Sequence, residues 1–271
     1  MEEKMFCFQC QETAKNTGCT LRGVCGKLPE TAGLQDSLIA LVRGLGVTDH
    51  LMRQQGAVCS CTCVSDFMVD ALFATISCAN FDDESIRRKI ARGQELLAKR
   101  KAKCAEKGVA LPDWPELGVE SDGLGVLRTA DPDLRSLREL VTLGLKGMCA
   151  YYEHAARLGQ TDDAILAFLS RALYEIANPA ATVEGLLPVV LETGKWGVEV
   201  MALLDRANTT AYGNPEISRV NIGAGRRPGI LITGHDLRDL EQLLQQSEGQ
   251  GVDIYTRSEE RRVGKECRSR W

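Results

Sequence analysis

Four cysteines stand within nineteen residues, as Cys7-x2-Cys10-x8-Cys19-x5-Cys25, with Gly18, Gly23 and Gly26 among them. The thiolate is the form of cysteine that binds metal. Iron-sulfur clusters are held by thiolates from a chain that folds tightly around them. Glycine supplies the backbone conformations such turns need. Four cysteines also make a tetrahedral zinc site. Zinc sites commonly pair two CxxC knuckles, and this segment has one. On spacing alone both chemistries stand open, with iron-sulfur the favoured one. Neither common ferredoxin spacing is matched, so a plain ferredoxin is not expected.

Other residues that could do chemistry have simpler readings. Cys59-Ser-Cys61-Thr-Cys63 alternates, which suits one tetrahedral site poorly, so buried small residues are expected there. Cys78, Cys104 and Cys149 fall in helical stretches as packing residues. His50 and His154 flank helices and are expected to face solvent or neighbours, and Lys146 and Glu153 show no catalytic partner. His235 differs, because Gly234-His235-Asp236 closes an apolar run that reads as a strand. Ligands in α/β sheets gather at the carboxyl ends of strands.

Helices must position the loop. Residues 1–30 have no helical period, whereas Leu34, Leu38, Leu41, Val42 and Leu45 form one stripe of period 3.6 from Thr31 onward. A second helix is predicted over 64–78. A third follows Asp82-Asp83-Glu84, acidic residues that suit a helix N-terminus, and ends in the basic run 99–103. Residues 108–130, with Pro112, Pro115 and four glycines, read as a long loop. Asp131-Pro132 opens a helix to about 158, and Thr161-Asp-Asp opens another that Asn178-Pro179 stops. One more covers 182–207, with Pro188 placed to bend it. After Tyr212-Gly-Asn-Pro215 the pattern becomes strand, helix, strand: 229–235, 237–246 and 252–255. The fold class is therefore mainly α. A cysteine-rich loop (1–30) and helical bundles (31–217) precede the β-α-β start of an α/β Rossmann-like domain (218–256).

Composition narrows the function classes. The 271 residues are 44% hydrophobic, 26% charged and 5% aromatic, with eleven cysteines and a net charge of -4. That balance excludes low-complexity disorder and offers no electrostatic case for nucleic acid or an anionic membrane. There is no apolar run of transmembrane length. The start, Met1-Glu-Glu-Lys-Met-Phe, lacks the layout of an export signal. A cytoplasmic setting is expected, where clustered cysteines mean metal or redox chemistry rather than disulfides.

Several motifs together resemble a known family. They are Met5-Phe-Cys-Phe-Gln-Cys-Gln-Glu-Thr-Ala, Gly18-Cys, Gly23-Val-Cys-Gly-Lys27, Tyr174-Glu175, Leu203-Leu-Asp205, Thr209-x2-Tyr-Gly-Asn-Pro215 and Gly229-Ile-Leu-Ile-Thr-Gly-His-Asp-Leu237. Residues 5–256 resemble the hybrid cluster protein family, also called prismane proteins or hydroxylamine reductases. The eight-residue middle spacing resembles the branch that carries a cubane. The resemblance implies a [4Fe-4S] cluster on Cys7, Cys10, Cys19 and Cys25 that relays electrons from a redox-protein donor. It also implies a hybrid [4Fe-2O-2S] cluster at which hydroxylamine takes two electrons and two protons to give ammonia and water. That second cluster has one histidine, two glutamate and four cysteine ligands in the family. His235 matches the histidine, and Glu259, in Tyr255-Thr-Arg-Ser-Glu259, matches the first glutamate by position only. Rival readings are nitric oxide reduction, an electron-transfer module, and a structural zinc protein.

The last fifteen residues, 257–271, carry six Lys or Arg against three Glu without an amphipathic period. The segment resembles one reading frame of a common sequencing adapter. It is expected to be foreign, the gene continuing past Thr256 into the remaining ligands. Cys267 therefore receives no role.

Overall fold

The computed structural model describes residues 5–57, 63–76, 80–118, 125–217, 219, 223–233, 236–256 and 269–270. Helices dominate, and their starts follow local chemistry. Helix α1 (Pro29–Gln54) begins at a proline, whose missing N–H costs nothing in a first turn. Helix α2 covers Cys63–Ala74. Helix α3 (Asp83–Glu106) is capped by Asp82, which accepts from the Ser85 N–H at 3.0 Å. Asp131 accepts from the N–H groups of Asp133 and Leu134, both at 2.9 Å, and starts α4 (Pro132–Arg157). Asp162 caps α5 (Asp163–Ala177) through the Ala164 N–H at 2.8 Å. Each cap satisfies donors that a helix start leaves without partners.

Helix α6 (Val183–Tyr212) contains Pro188 and runs beyond the predicted end at 207. The loop over 108–130 includes two short 3-10 turns, Pro115–Leu117 and Val126–Arg128.

The chain divides into two compact units, residues 1–153 with 161–204, and residues 154–160 with 205–271. In the first unit α1 is the central helix and packs against α2, α3 and α5. Every residue from Ala40 to Asp49 is buried, so α1 has no solvent face there. Small residues allow close approach: a methyl group on Gly46 would lie 2.4 Å from Leu173 Cβ, and one on Gly93 2.4 Å from Leu41 Cδ2.

A buried ionic group ties these helices together. Asp49 accepts from Arg53 Nε at 2.7 Å, from Ser170 Oγ at 2.7 Å and from Arg100. Arg53 also grips Asp163 with two bonds of 2.9 Å.

In the second unit β1 (Gly229–Ile232) and β2 (Asp253–Thr256) pair in parallel, Gly229 opposite Asp253 and Ile232 opposite Thr256. Helix α7 (Leu237–Ser247) lies between them in sequence and buries Leu240. This is the expected β-α-β unit. A two-residue strand β3 (Ser269–Arg270) adds antiparallel to β2, so part of the segment set aside as foreign carries an element. No helix among the described residues is long and apolar enough to cross a membrane.

Candidate metal centre

The cysteine loop is built from short-range contacts. Cys7 and Cys19 exchange two backbone hydrogen bonds, 3.1 and 2.8 Å, as an antiparallel bridge. The chain between them turns through Ala14–Asn16, a single 3-10 turn. Thr13 closes that turn by donating its hydroxyl to the Cys7 carbonyl at 3.1 Å. Gly18 adopts φ +149°, and a methyl group on it would meet the Phe6 ring at 2.5 Å. A second turn returns the chain: Gly23 donates to the Lys27 carbonyl at 2.8 Å and Gly26 to the Gly23 carbonyl at 2.9 Å. A methyl group on Gly23 would stand 3.0 Å from Cys25 Sγ, so glycine there leaves the sulfur its room.

The four thiols differ in exposure. Cys19 is buried, Cys7 and Cys10 are half-buried, and Cys25 is exposed. The Ala14 N–H points at Cys19 Sγ from 3.4 Å. That hydrogen bond is the main cause that lowers the Cys19 thiol below its ordinary value. Burial opposes it, and the Val24 N–H, the Thr13 hydroxyl and the Lys27 charge assist it. Lys27 Nζ donates to Cys7 Sγ at 3.6 Å. N–H donors and a cation directed at sulfur stabilise thiolate, the ionised form that clusters require. The donor set thus fits a thiolate-bound group. Among the described residues no three Cys, His, Asp or Glu side chains are close enough to hold one metal ion. A single tetrahedral zinc would need sulfurs only about 3.8 Å apart, from bonds of about 2.3 Å. The corners of a cubane stand farther apart than that. The loop brings its four cysteines into one turn-rich segment without forming a compact single-ion cage.

A buried charged layer adjoins the loop. Lys27 donates to Gln35 Oε1 at 2.7 Å, and Lys146 donates to Gln9 Oε1 at 3.0 Å and to the Thr75 carbonyl at 3.1 Å. Lys146 therefore has partners the sequence did not show. Burial lowers it to about 8. Asp36 is raised to about 6, first by burial and then by Glu139, against the charges of Lys146, Arg43 and Lys27. Its unfolded carboxyl stays at 3.8, so between these values the folded state binds the proton more tightly. Stability should therefore fall as pH rises from about 4 to 6, by up to about 3 kcal/mol. Asp36→Asn should flatten that slope and stabilise the chain at pH 7. Urea midpoints at pH 4 and pH 7 test this, and an unchanged slope would refute it.

The remaining candidates scatter. His235 and Glu259 lie outside the described residues, as do Cys59, Cys61, Cys78 and Cys267. Cys63 is exposed at the first turn of α2, contrary to the expected burial, because the inward stripe begins one residue later at Val64. Cys104 and Cys149 are buried, and burial pushes both thiols up, which suits packing and not ligation. Tyr174 packs against His50 and Trp114 with tilted rings, centroids 4.7 and 5.0 Å away, a packing role. In the second unit His154 Nδ1 stands 2.7 Å from Asp236 Oδ2, beside position 235. Reading by motif gave Lys27 and Lys146 no role and passed over Gln35. A polar Gln35 next to the inward stripe of α1 was the available signal.

Residues 5–269 match the Prismane/CO dehydrogenase family, a family of iron-sulfur proteins, to which the chain belongs. The relatives it resembles are more particular. It is 51% identical over 264 residues to a hydroxylamine reductase of Bacteroides fragilis (strain YCH46), which covers 94% of this chain and 48% of that protein. It is 47% identical over 268 residues to a hydroxylamine reductase of Porphyromonas gingivalis (strain ATCC 33277), covering 96% and 49%. Against a hydroxylamine reductase of Desulfitobacterium hafniense (strain DCB-2) the identity is 48% over 267 residues, covering 94% and 48%. The chain spans about half the length of the curated relatives it matches.

Proposed function

We propose that Cys7, Cys10, Cys19 and Cys25 hold a [4Fe-4S] cluster, in a protein that reduces hydroxylamine to ammonia and water. The observation that carries this reading is the loop itself: two turns, a bridge between Cys7 and Cys19, and donors directed at both their sulfurs. The identity of about half the residues to hydroxylamine reductases supports the reaction. A bound cubane would supply a centre that takes up and passes on single electrons.

The residues divide the work. Cys19 and Cys7 form the inner side of the loop, Cys19 Sγ accepting from the Ala14 N–H and Cys7 Sγ from Lys27 Nζ. Cys25 is the exposed end, flanked by Leu21, Val24 and Leu28, each at least 44% exposed. That side is where a redox-protein donor would approach. His235, and Glu259 by position, would be ligands of a second, hybrid [4Fe-2O-2S] cluster. Asp236, next to His235, is fixed as the cap of α7 by accepting from the Asp239 N–H at 2.7 Å. Two ligands are too few to keep iron from chelators, so this chain by itself should hold only the first cluster.

Anaerobic reconstitution with iron and sulfide tests the reading. The chain should turn brown with about four irons, the content of one cubane. A dye-coupled hydroxylamine assay should show turnover for a full-length relative and none comparable for this chain. A colourless chain that binds one zinc would overturn the cluster, and full turnover by this chain would overturn the division of sites.

A further inference from the structure

Helices α4 and α6 border a groove of about 360 Å³ on the first unit. Four glycines line it, Gly144 and Gly147 on α4 and Gly194 and Gly197 on α6. Gly144 has an internal reason: a methyl group on it would stand 2.6 Å from Thr193 Cγ2, so it lets the two helices meet. The other three have none, since a methyl group on Gly147, Gly194 or Gly197 would meet nothing within 4 Å. Glycine weakens a helix interior relative to alanine. Packing among the described residues does not require that weakness at these three positions.

The rim of the groove is apolar and open. Leu140 and Tyr151 on α4, and Leu191, Val198 and Met201 on α6, are each at least 45% exposed. Leu191 and Val198 stand one turn to either side of Gly194, on its face of the helix. Buried Val141, Met148 and Val200 form the floor. Of the side chains lining the groove only Thr193 and Tyr151 are polar, and the Thr193 hydroxyl already donates to the Val189 carbonyl at 2.8 Å. An incoming group meets apolar walls and room for a backbone to approach closely, which is the receptor side of a helix-in-groove contact. Contiguous exposed apolar surface marks an interaction site.

A second copy of the chain fits poorly. A symmetric pair would set this concavity against the same concavity, whereas a two-fold contact needs a self-complementary patch. The chain matches 48% of the Bacteroides fragilis reductase and 49% of the Porphyromonas gingivalis one, so each relative carries about as much polypeptide again. That other half accompanies the matched segment in equal number. We propose that the groove seats an apolar helix from the other half of the family's polypeptide, and that the three open glycines make room for its backbone. The proposal concerns how the halves join and does not rest on the cysteines holding a cluster.

The test joins residues 1–256 of this chain to the remaining half of the Bacteroides fragilis reductase and compares the product with the 271-residue chain, neither being loaded with iron. Peroxide converts exposed methionine to the sulfoxide, which peptide mapping reads at Met201. Oxidation of Met201 should be several-fold slower in the joined chain. Gly194→Leu, which fills the groove, should leave the melting temperature of the 271-residue chain unchanged or raise it, because the added side chain has open space and a glycine leaves a helix interior. In the joined chain the same substitution should lower the melting temperature by several degrees and speed Met201 oxidation again. Should the joined chain fail to fold, the same substitution at the aligned position of the intact Bacteroides fragilis reductase decides by its melting temperature. Equal oxidation of Met201 in the two chains would overturn the proposal, as would an equal effect of Gly194→Leu in both. Light scattering that shows the 271-residue chain as a dimer, broken by Gly194→Leu, would seat a second copy in the groove and overturn it too.

Discussion

Cys19→Ser should leave the reconstituted chain colourless, with iron falling from about four per chain to less than about one. This is the largest effect expected of any single change in the loop. Cys19 is buried, its backbone pairs with Cys7 on both sides, and its sulfur receives the Ala14 N–H. A serine hydroxyl keeps that space but does not ionise near neutral pH, so the hydrogen bond would stabilise no ligand. Cys104→Ser and Cys149→Ser serve as controls, since burial keeps those thiols protonated and they should not alter the colour. Iron analysis and the visible spectrum provide the measurement. A Cys19→Ser chain that remains brown with a full iron content would place the centre elsewhere.

Asp49→Ala should destabilise the helical unit by about 3–5 kcal/mol, the cost of stranding a buried cation by removing its partner. Asp49 and Arg100 are 5% and 8% exposed at the side chain, and Ser170 completes the group from α5. Arg53 retains Asp163, so Arg100 is the residue left stranded. Urea unfolding followed by helical circular dichroism measures the loss. A change under about 1 kcal/mol, the usual worth of a surface pair, would show that water screens the group. Asp49→Asn, which keeps the shape and part of the hydrogen bonding, should lose less.

Much of this was legible because local rules and tertiary packing agree. Asp82, Asp131 and Asp162 announce helix starts, and each is found capping. The stripe Leu38, Leu41, Val42 and Leu45 is found buried on α1. The cysteine spacing located the loop for the same reason, since its turns are closed by residues a few positions apart. What spacing could not show is anything made by distant residues. Lys146 read as an isolated helical lysine because Gln9 is 137 positions away. Nothing close to Asp49 in the sequence marks its role, because Ser170 is 121 positions away. The extension of α6 to Tyr212 was missed because the turn residues after it, Gly213 to Pro215, were given too much reach upstream.

The span of these contacts along the chain also sets an order of events during synthesis. Everything that closes the cysteine loop, from the Cys7–Cys19 bridge to the Lys27–Gln35 bond, lies within the first thirty-five residues. Closing so short a loop costs little chain entropy. Lys146, which pins Gln9 from behind, emerges more than a hundred residues later. At about 5–20 residues per second, that delay is roughly 5–25 s. During this interval the nascent chain has the partners to fold its thiol pocket, while the helix that seals the pocket's inner side has not been made. On the cluster reading proposed above, iron and sulfide would have to reach the thiols before α4 docks.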